Sequence, residues 1–445
     1  MTDTKIIVLD DDPTGAQTVH SCLLLTRWDV VTLIEALDDA APLFFVLTNT
    51  RAMDAGRAAE VTREVCANLK RALEQRDRAG RSVNPIFVSR SDSTLRGHYP
   101  VETDVMAAEL GPFDAHFLVP AFFEGGRITA DSVHYLVVEG RRVPVHETEF
   151  ARDSVFGYRQ SFLPAYVEEK TGGRIRADRV QRFGLAELRA GCLDRLLALS
   201  GNVCGVVDAE RQDDLDRFAA AVREATARGK RFLFRSAASL LTALAQLPPQ
   251  PVPAAKMAAY VRGGRPGAIL VGSHVAKTTA QLERLLSEPG LAPVELDVGR
   301  LPQARAELVV AVCQVAQEAH DQGLTPVIYT SRRERSFASQ AERLAFGEVV
   351  SATLMDIVRG LPAGIGYLIS KGGITSNDVL ATGLALKTAR VVGQILAGCS
   401  VVCCPADHPR FPDLPVVIFP GNVGAEDALA RAYRRLAGLE RAPAA

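Results

Sequence analysis

Three carboxylates in a row, Asp10-Asp11-Asp12, followed by Pro13-Thr14-Gly15-Ala16, close a short apolar run near the start of the chain. Adjacent carboxylates repel, so at least one has a raised pKa unless a cation or substrate hydroxyl groups compensate. A second segment, Ser89-Arg90-Ser91-Asp92-Ser93-Thr94-Leu95-Arg96-Gly97-His98, gathers two guanidinium groups, a carboxylate, four hydroxyls and an imidazole. Between them, Thr48-Asn49-Thr50-Arg51 ends another apolar run with a cation. Guanidinium forks capture carboxylates in bidentate fashion, and hydroxyls and a helix start donate hydrogen bonds. Asp92 is a candidate general base there, so the set suits a small polyhydroxylated acid. The stretch Pro120 to Thr129, rich in glycine and carrying Arg127, reads as a flap or a tight turn.

In the second half the strand ends change character, from acids and cations to glycine, serine and threonine. Gly272-Ser273-His274-Val275-Ala276-Lys277-Thr278 approaches the Gly-x4-Gly-Lys-Thr phosphate loop, but Ala276 replaces the second glycine, so a true loop of that kind is not expected. Ser273 can still hydrogen-bond phosphate. Two further loops, Ser370-Lys371-Gly372-Gly373-Ile374-Thr375-Ser376-Asn377-Asp378 and Phe419-Pro420-Gly421-Asn422-Val423-Gly424-Ala425-Glu426-Asp427, follow strands and precede helices. Glycines let main-chain N–H groups approach phosphate closely, and two such loops point to nucleotide binding.

Short β-branched runs alternating with 3.6-periodic segments must position these loops, which predicts an α/β chain with mainly parallel sheets flanked by helices. Strands are expected at Lys5–Leu9, Leu43–Leu47, Pro85–Ser89, Ala115–Val119, Val203–Asp208 and Arg231–Arg235, then at Ala268–Val271, Val294–Val298, Pro326–Thr330, Gly366–Ile369 and Pro415–Phe419. Helices are expected at Asp54–Arg76, Gln212–Ala227 and Ser336–Arg359. Ser132–Val138 and Arg141–Val145 flank Glu139-Gly140 and predict a β-hairpin. Four prolines between Leu247 and Pro253 predict a stiff connector. The expected organisation is a first domain over 1–246, a Pro-rich linker over 247–267 and a second domain over 268–445.

A chain of 445 residues is too long for one core, and 51 Lys+Arg against 52 Asp+Glu exclude the bulk basic excess of a nucleic-acid or membrane-surface binder. The start lacks the basic and long apolar regions of a secretory signal. The apolar run from Val391 to Pro405 is broken by Gln394, Gly398 and Ser400, so it reads as a buried strand pair rather than a membrane span. Eight scattered cysteines form no disulfide framework and suit a reducing cytoplasm. Cys399, Cys403, Cys404 and His408 could hold zinc, but their apolar setting and spacing favour buried packing.

Six segments in order resemble the four-carbon acid sugar kinase family. They are Asp11-Asp12-Pro13-Thr14-Gly15-Ala16, Asn49-Thr50-Arg51, Asp92-Ser93-Thr94-Leu95-Arg96-Gly97, Pro120-Ala121-Phe122 with Gly126-Arg127, Lys371-Gly372-Gly373, and Gly421-Asn422-Val423-Gly424. The resemblance implies a sugar-acid-binding domain followed by a nucleotide-binding domain, with ATP and Mg²⁺ used to phosphorylate the terminal 4-hydroxyl of a threonate, erythronate or 3-oxo-tetronate. Carried over, the implied substrate contacts are Asp11, Asp12, Arg51, Arg90, Asp92, Ser93, Thr94 and Arg96, with Asp12 or Asp92 taking the hydroxyl proton. The implied nucleotide contacts are Ser273, Gly372, Gly373, Ile374, Thr375, Gly421, Asn422 and Gly424. Many relatives carry Leu or Phe at the position of Pro13, a Lys at that of Arg90 and an acid at that of Ile374. The nearest carboxylate for magnesium is then Asp378, and the metal ligand stays open. The partners expected are a sugar acid and ATP, with no nucleic acid or membrane and with a homodimer left open. A sugar-acid sensor without catalysis is one alternative; an NAD-dependent hydroxy-acid dehydrogenase is another, which the lack of Gly-x-Gly-x-x-Gly after a strand disfavours.

Overall fold

The computed structural model describes residues 4–273, 275–332, 337, 339–421 and 423–439. The chain divides into two compact units, Met1–Pro249 and Gln250–Ala445.

The first unit contains strands β1 (Thr4–Asp10), β2 (Cys22–Leu25), β3 (Leu43–Leu47), β4 (Asn84–Arg90), β5 (Ala115–Val119), β6 (Arg127–Ala130), β7 (Val133–Val138), β8 (Arg141–Pro144), β9 (Gln181–Phe183), β10 (Val203–Val207) and β11 (Phe232–Ser236). Its main sheet has the order β2-β3-β1-β4-β11-β5-β10-β9, with parallel pairing throughout. Parallel strands need both faces covered, which is why Ile6 to Leu9 and Leu43 to Val46 are apolar without alternation and buried. Helix Ala55–Arg78 covers part of one face through Val61, Val65, Cys66, Leu69 and Ala72, a helical stripe started by the Asp54 side chain accepting from the Arg57 N–H.

The expected hairpin is present as β7 and β8, joined by Glu139 and Gly140, whose φ angles of 49° and 78° give the twist a two-residue hairpin needs. A third strand joins it. Of the residues with the flap or tight-turn pattern, Phe123–Gly125 form a 3₁₀ turn, and Arg127–Ala130 form β6, a strand not expected, antiparallel to β7.

The second unit contains β12 (Ala268–Val271), β13 (Leu291–Leu296), β14 (Thr325–Thr330), β15 (Leu368–Lys371), β16 (Thr388–Leu396), β17 (Cys399–Cys403) and β18 (Pro415–Phe419). The order is β13-β14-β12-β15-β18-β17-β16, parallel from β13 to β18 and antiparallel at β17 and β16. The apolar run from Val391 forms the buried β16–β17 pair. Part of the Pro-rich stretch folds onto this unit, because 3₁₀ turns at Ala254–Tyr260 bury Met257 against Ile269, Ile369 and Val417. The helix expected from Ser336 runs over Gln340–Gly360, and Ser336 lies outside the described residues.

Burial pushes the thiols of Cys399, Cys403 and Cys404 up to about 12, which keeps them protonated, and His408 Nε2 pairs instead with the Leu384 carbonyl at 2.8 Å. Among the described residues no group of three or more His, Cys, Asp or Glu side chains is arranged to hold a metal, and no helix is long and apolar enough to cross a membrane.

Candidate active site

In the first unit β1 lies between β3 and β4, so the chain order reverses beside it. Ligands of open parallel sheets sit at such a reversal, beyond the carboxyl ends of the strands. Asp10 ends β1 fully buried, with Oδ2 lacking a partner. Burial pushes its carboxyl well above the usual range, against the pull of Arg90 and with the repulsion of Asp11 and Asp12. The turn after it must be glycine, since a Cβ on Gly15 would fall 1.9 Å from Asp10 Oδ2.

Arg51, just beyond β3, ties the other two acids together. Its Nε donates to Asp11 Oδ2 at 3.2 Å and its Nη2 to Asp11 Oδ1, while Nη1 lies 3.5 Å from Asp12 Oδ2. Asp11 is buried and also accepts from Ser91 Oγ at 2.9 Å. Asp12, 22% exposed at its side chain, accepts from the Thr14 N–H at 2.9 Å and from the Thr14 hydroxyl. Asp92 follows β4 and accepts from Arg96 Nε at 2.7 Å and from the Thr94 hydroxyl. Burial alone would raise the Asp92 carboxyl, but Arg51 and Arg96 outweigh it and hold the group well below the usual carboxylate range. Arg96 lies 5.0 Å over the Phe150 ring and 3.7 Å from Asp153.

The structure thus brings Asp11, Asp12, Arg51, Asp92, Thr94 and Arg96 into one cluster. Arg90 sits deeper, beside Asp10, donating from Nη1 to the Ser91 carbonyl with its Nε unpartnered. The Ser93 side chain is buried, and its carbonyl is held by His134 Nε2 at 2.7 Å.

Several supporting residues were not singled out by the sequence. Arg235, in β11, donates from Nη1 to Ser89 Oγ at 2.6 Å and to Glu102, and its Nη2 lies 4.0 Å from Asp11 Oδ2. A Cβ on Gly97, at φ 118°, would fall 2.6 Å from Arg235 Nη2, so only glycine lets the loop pass. Tyr158 and Tyr166 donate to the carbonyls of Thr94 and Leu95 at 2.7 and 2.8 Å. The only signal for Arg235 was a cation following the apolar Phe232-Leu233-Phe234. Behind Asp92 and Arg96 a cavity of about 20 Å³, bordered by Tyr99, Tyr166 and Arg235, has room for one water.

In the second unit the loops after β12, β14, β15 and β18 wall a cavity of about 780 Å³, a volume suited to a nucleotide. Ser273, Gly372, Gly373, Ile374, Thr375 and Gly421 all line it. A Cβ on Gly272 would fall 2.6 Å from Thr375 Oγ1, so glycine is needed where these loops meet. Ile374 is 66% exposed on this wall, and Phe337 and Phe346, 5.3 Å apart, add aromatic surface for a base to pack on. Arg332, not anticipated, fixes the strand ends by donating to the carbonyls of Ser273 at 2.5 Å and Thr330 at 2.8 Å.

Gly424 is off the cavity wall, in a turn held by Gln281 Nε2 bonding the carbonyls of Val423 and Ala425 at 3.0 and 2.8 Å. Asn422 lies outside the described residues. Asp378 presents a carboxylate to the cavity with Ser351 donating to it. One carboxylate fits a magnesium ion held mostly by phosphate oxygens and water.

A family of sugar-binding N-terminal domains matches residues 6–244, and a family of nucleotide-binding C-terminal domains matches residues 268–429. The chain is 28% identical over 226 residues to a D-erythronate kinase of Heliobacterium modesticaldum, covering 48% of this chain and 47% of that protein. It is 29% identical over 191 residues to a 3-oxo-tetronate kinase of Pseudomonas savastanoi pv. phaseolicola, covering 42% of each. These matches span about half the length of the curated relatives. The fold is shared with a solved protein from Salmonella typhimurium LT2 at TM-score 0.69, 18% identity and coverage of 96% and 98% of the two chains. It is also shared with one from Haemophilus influenzae at TM-score 0.65, 18% identity and coverage of 97% and 100%.

Proposed function

Because the chain belongs to the four-carbon acid sugar kinase family, we propose that it is an ATP-dependent kinase that phosphorylates the terminal 4-hydroxyl of a four-carbon sugar acid of the threonate, erythronate or 3-oxo-tetronate type. The observation that carries the reading is the cluster at the end of β1, where Arg51 joins Asp11 and Asp12 next to the Asp92–Arg96 pair. Cations there receive the acid's carboxylate, and carboxylates receive its hydroxyl hydrogens. The free thiols fit a reducing compartment such as the cytoplasm.

ATP supplies the transferring phosphoryl group. The substrate oxygen bonds to the γ-phosphorus, the bond from that phosphorus to its bridging oxygen breaks, ADP leaves, and the hydroxyl proton passes to a carboxylate. Such transfer depends chiefly on positioning and charge neutralisation. Asp92, committed to two cations and a hydroxyl, orients the substrate as a permanent anion. Asp12 meets one guanidinium at 3.5 Å and is the better proton acceptor. Gly372, Gly373, Thr375 and Gly421 hold the phosphates, and Asp378 with Ser351 would hold Mg²⁺. Incubating the purified protein with ATP, Mg²⁺ and each of a panel of C4 to C6 sugar acids tests this; ADP release with a four-carbon acid is expected, and release with none would refute it.

A further inference from the structure

Lys371 is the last residue of β15 and its side chain is fully buried. The β15–β18 ladder ends where the Gly372 N–H donates to the Phe419 carbonyl at 2.8 Å. Beyond that point the lysine continues the pairing. Its Nζ donates to the carbonyls of Pro420 at 2.6 Å and Gly421 at 3.1 Å, and it sits 4.5 Å over the Phe419 ring. A trans peptide sets its C=O and N–H on opposite sides, so holding the Pro420 carbonyl turns the Gly421 N–H away from the ammonium. Gly421, Gly372 and Gly373 all line the cavity. A charge buried against carbonyl dipoles and a ring face remains only partly compensated, and a bound polyanion completes it.

We propose that Lys371 is a positioning residue for the nucleotide, which locks the Gly421 loop to the β15 loop and places a buried positive charge beneath the phosphates. This rests on the reading of the second-unit cavity as the nucleotide site. Among the described residues the titratable groups that face the amine are Cys399 on β17 and Lys277 on helix Ala276–Leu286. Burial, helped by Lys277, lowers the amine to about 8, while the Cys399 thiol, pushed up to about 12, stays neutral in this range. A phosphate that favours the charged form raises the amine's pKa on binding. The linkage sign is then fixed: affinity is full below about pH 8 and falls as the free amine deprotonates above it.

The test is calorimetric titration of ADP with excess Mg²⁺ into the full chain at pH 7.5 and 9.5, which requires no activity. The wild type is expected to weaken about sixfold between the two, for a pKa rise of about one unit on binding. K371R, charged throughout, keeps most of the affinity without the pH dependence, and K371M binds at least tenfold more weakly at pH 7.5 with a flat profile. A flat wild-type profile overturns the proposal even if neither variant folds, and so does K371M binding like the wild type. No ADP binding by the wild type overturns the cavity reading itself, and the proposal with it.

Discussion

Replacing Arg51 by Met removes the guanidinium that neutralises Asp11 and Asp12 together. Asp11 is 1% exposed, so it would remain a buried carboxylate supported by the Ser91 hydroxyl and by Arg235 at 4.0 Å. Breaking a buried pair from one side costs about 3–5 kcal/mol, because the surviving charge loses its partner in a poorly hydrated place. For a unit of this size that lowers Tm by roughly 6–20 °C. Arg51→Lys keeps the charge but not the fork that reaches Asp11 through Nε and Nη2 and Asp12 through Nη1, so its loss is smaller, about 1–2 kcal/mol. The assay is urea and thermal unfolding followed by fluorescence of Trp28, the chain's single tryptophan, which packs on the first unit's core. Asp11→Asn in the Arg51→Met background removes the stranded charge and should recover at least 1 kcal/mol, giving a double-mutant coupling of about 1–3 kcal/mol. An Arg51→Met protein that melts within a degree of the wild type, or a coupling of zero, would refute the reasoning.

Asp92→Asn should cut sugar-acid-dependent ADP release by at least about a hundredfold while leaving ADP affinity unchanged, as steady-state kinetics with calorimetry would read; near-normal turnover counts against its role. Gly272→Ala sets a methyl 2.6 Å from Thr375 Oγ1 and should raise the KM for ATP about tenfold or more with little change in the KM for the sugar acid. His134 is fully buried, and its imidazole is lowered by burial to about 4. The unfolded chain therefore takes up this proton near pH 6.5 and the folded chain does so only near 4. Stability is unaffected above that window and falls by about 3 kcal/mol across it, a slope that His134→Gln should flatten in denaturant titrations.

The central strands were legible because apolar runs bounded by loops admit little else: Leu43–Leu47, Ala115–Val119, Ala268–Val271 and Pro415–Phe419 occur at the expected residues. Strands β2 and β9 were not expected, since four and three residues are too few to show a period. β6 was hidden by Gly125 and Gly126, which read as a turn although the strand begins directly after them. Asp12, Arg51, Asp92 and Arg96 stood out because charges crowded after apolar strands have no structural excuse. Arg235 and His134 did not, because each is a lone polar residue in an apolar strand that bonds a group far away in sequence, and Arg332 was lost among the neighbouring charges of Ser331-Arg332-Arg333-Glu334-Arg335, its Ser273 partner lying 59 residues away. The depth of Arg90 was equally invisible, since a strand's last side chain can point to the open end or into the sheet.

The most direct test of the account is the product itself. Purified protein with ATP, Mg²⁺ and the four-carbon acid that supports turnover should release one ADP per acid consumed, and the product should show ³¹P coupling to the C4 protons. Phosphate on any other oxygen, or ADP release that does not depend on the acid, would contradict it.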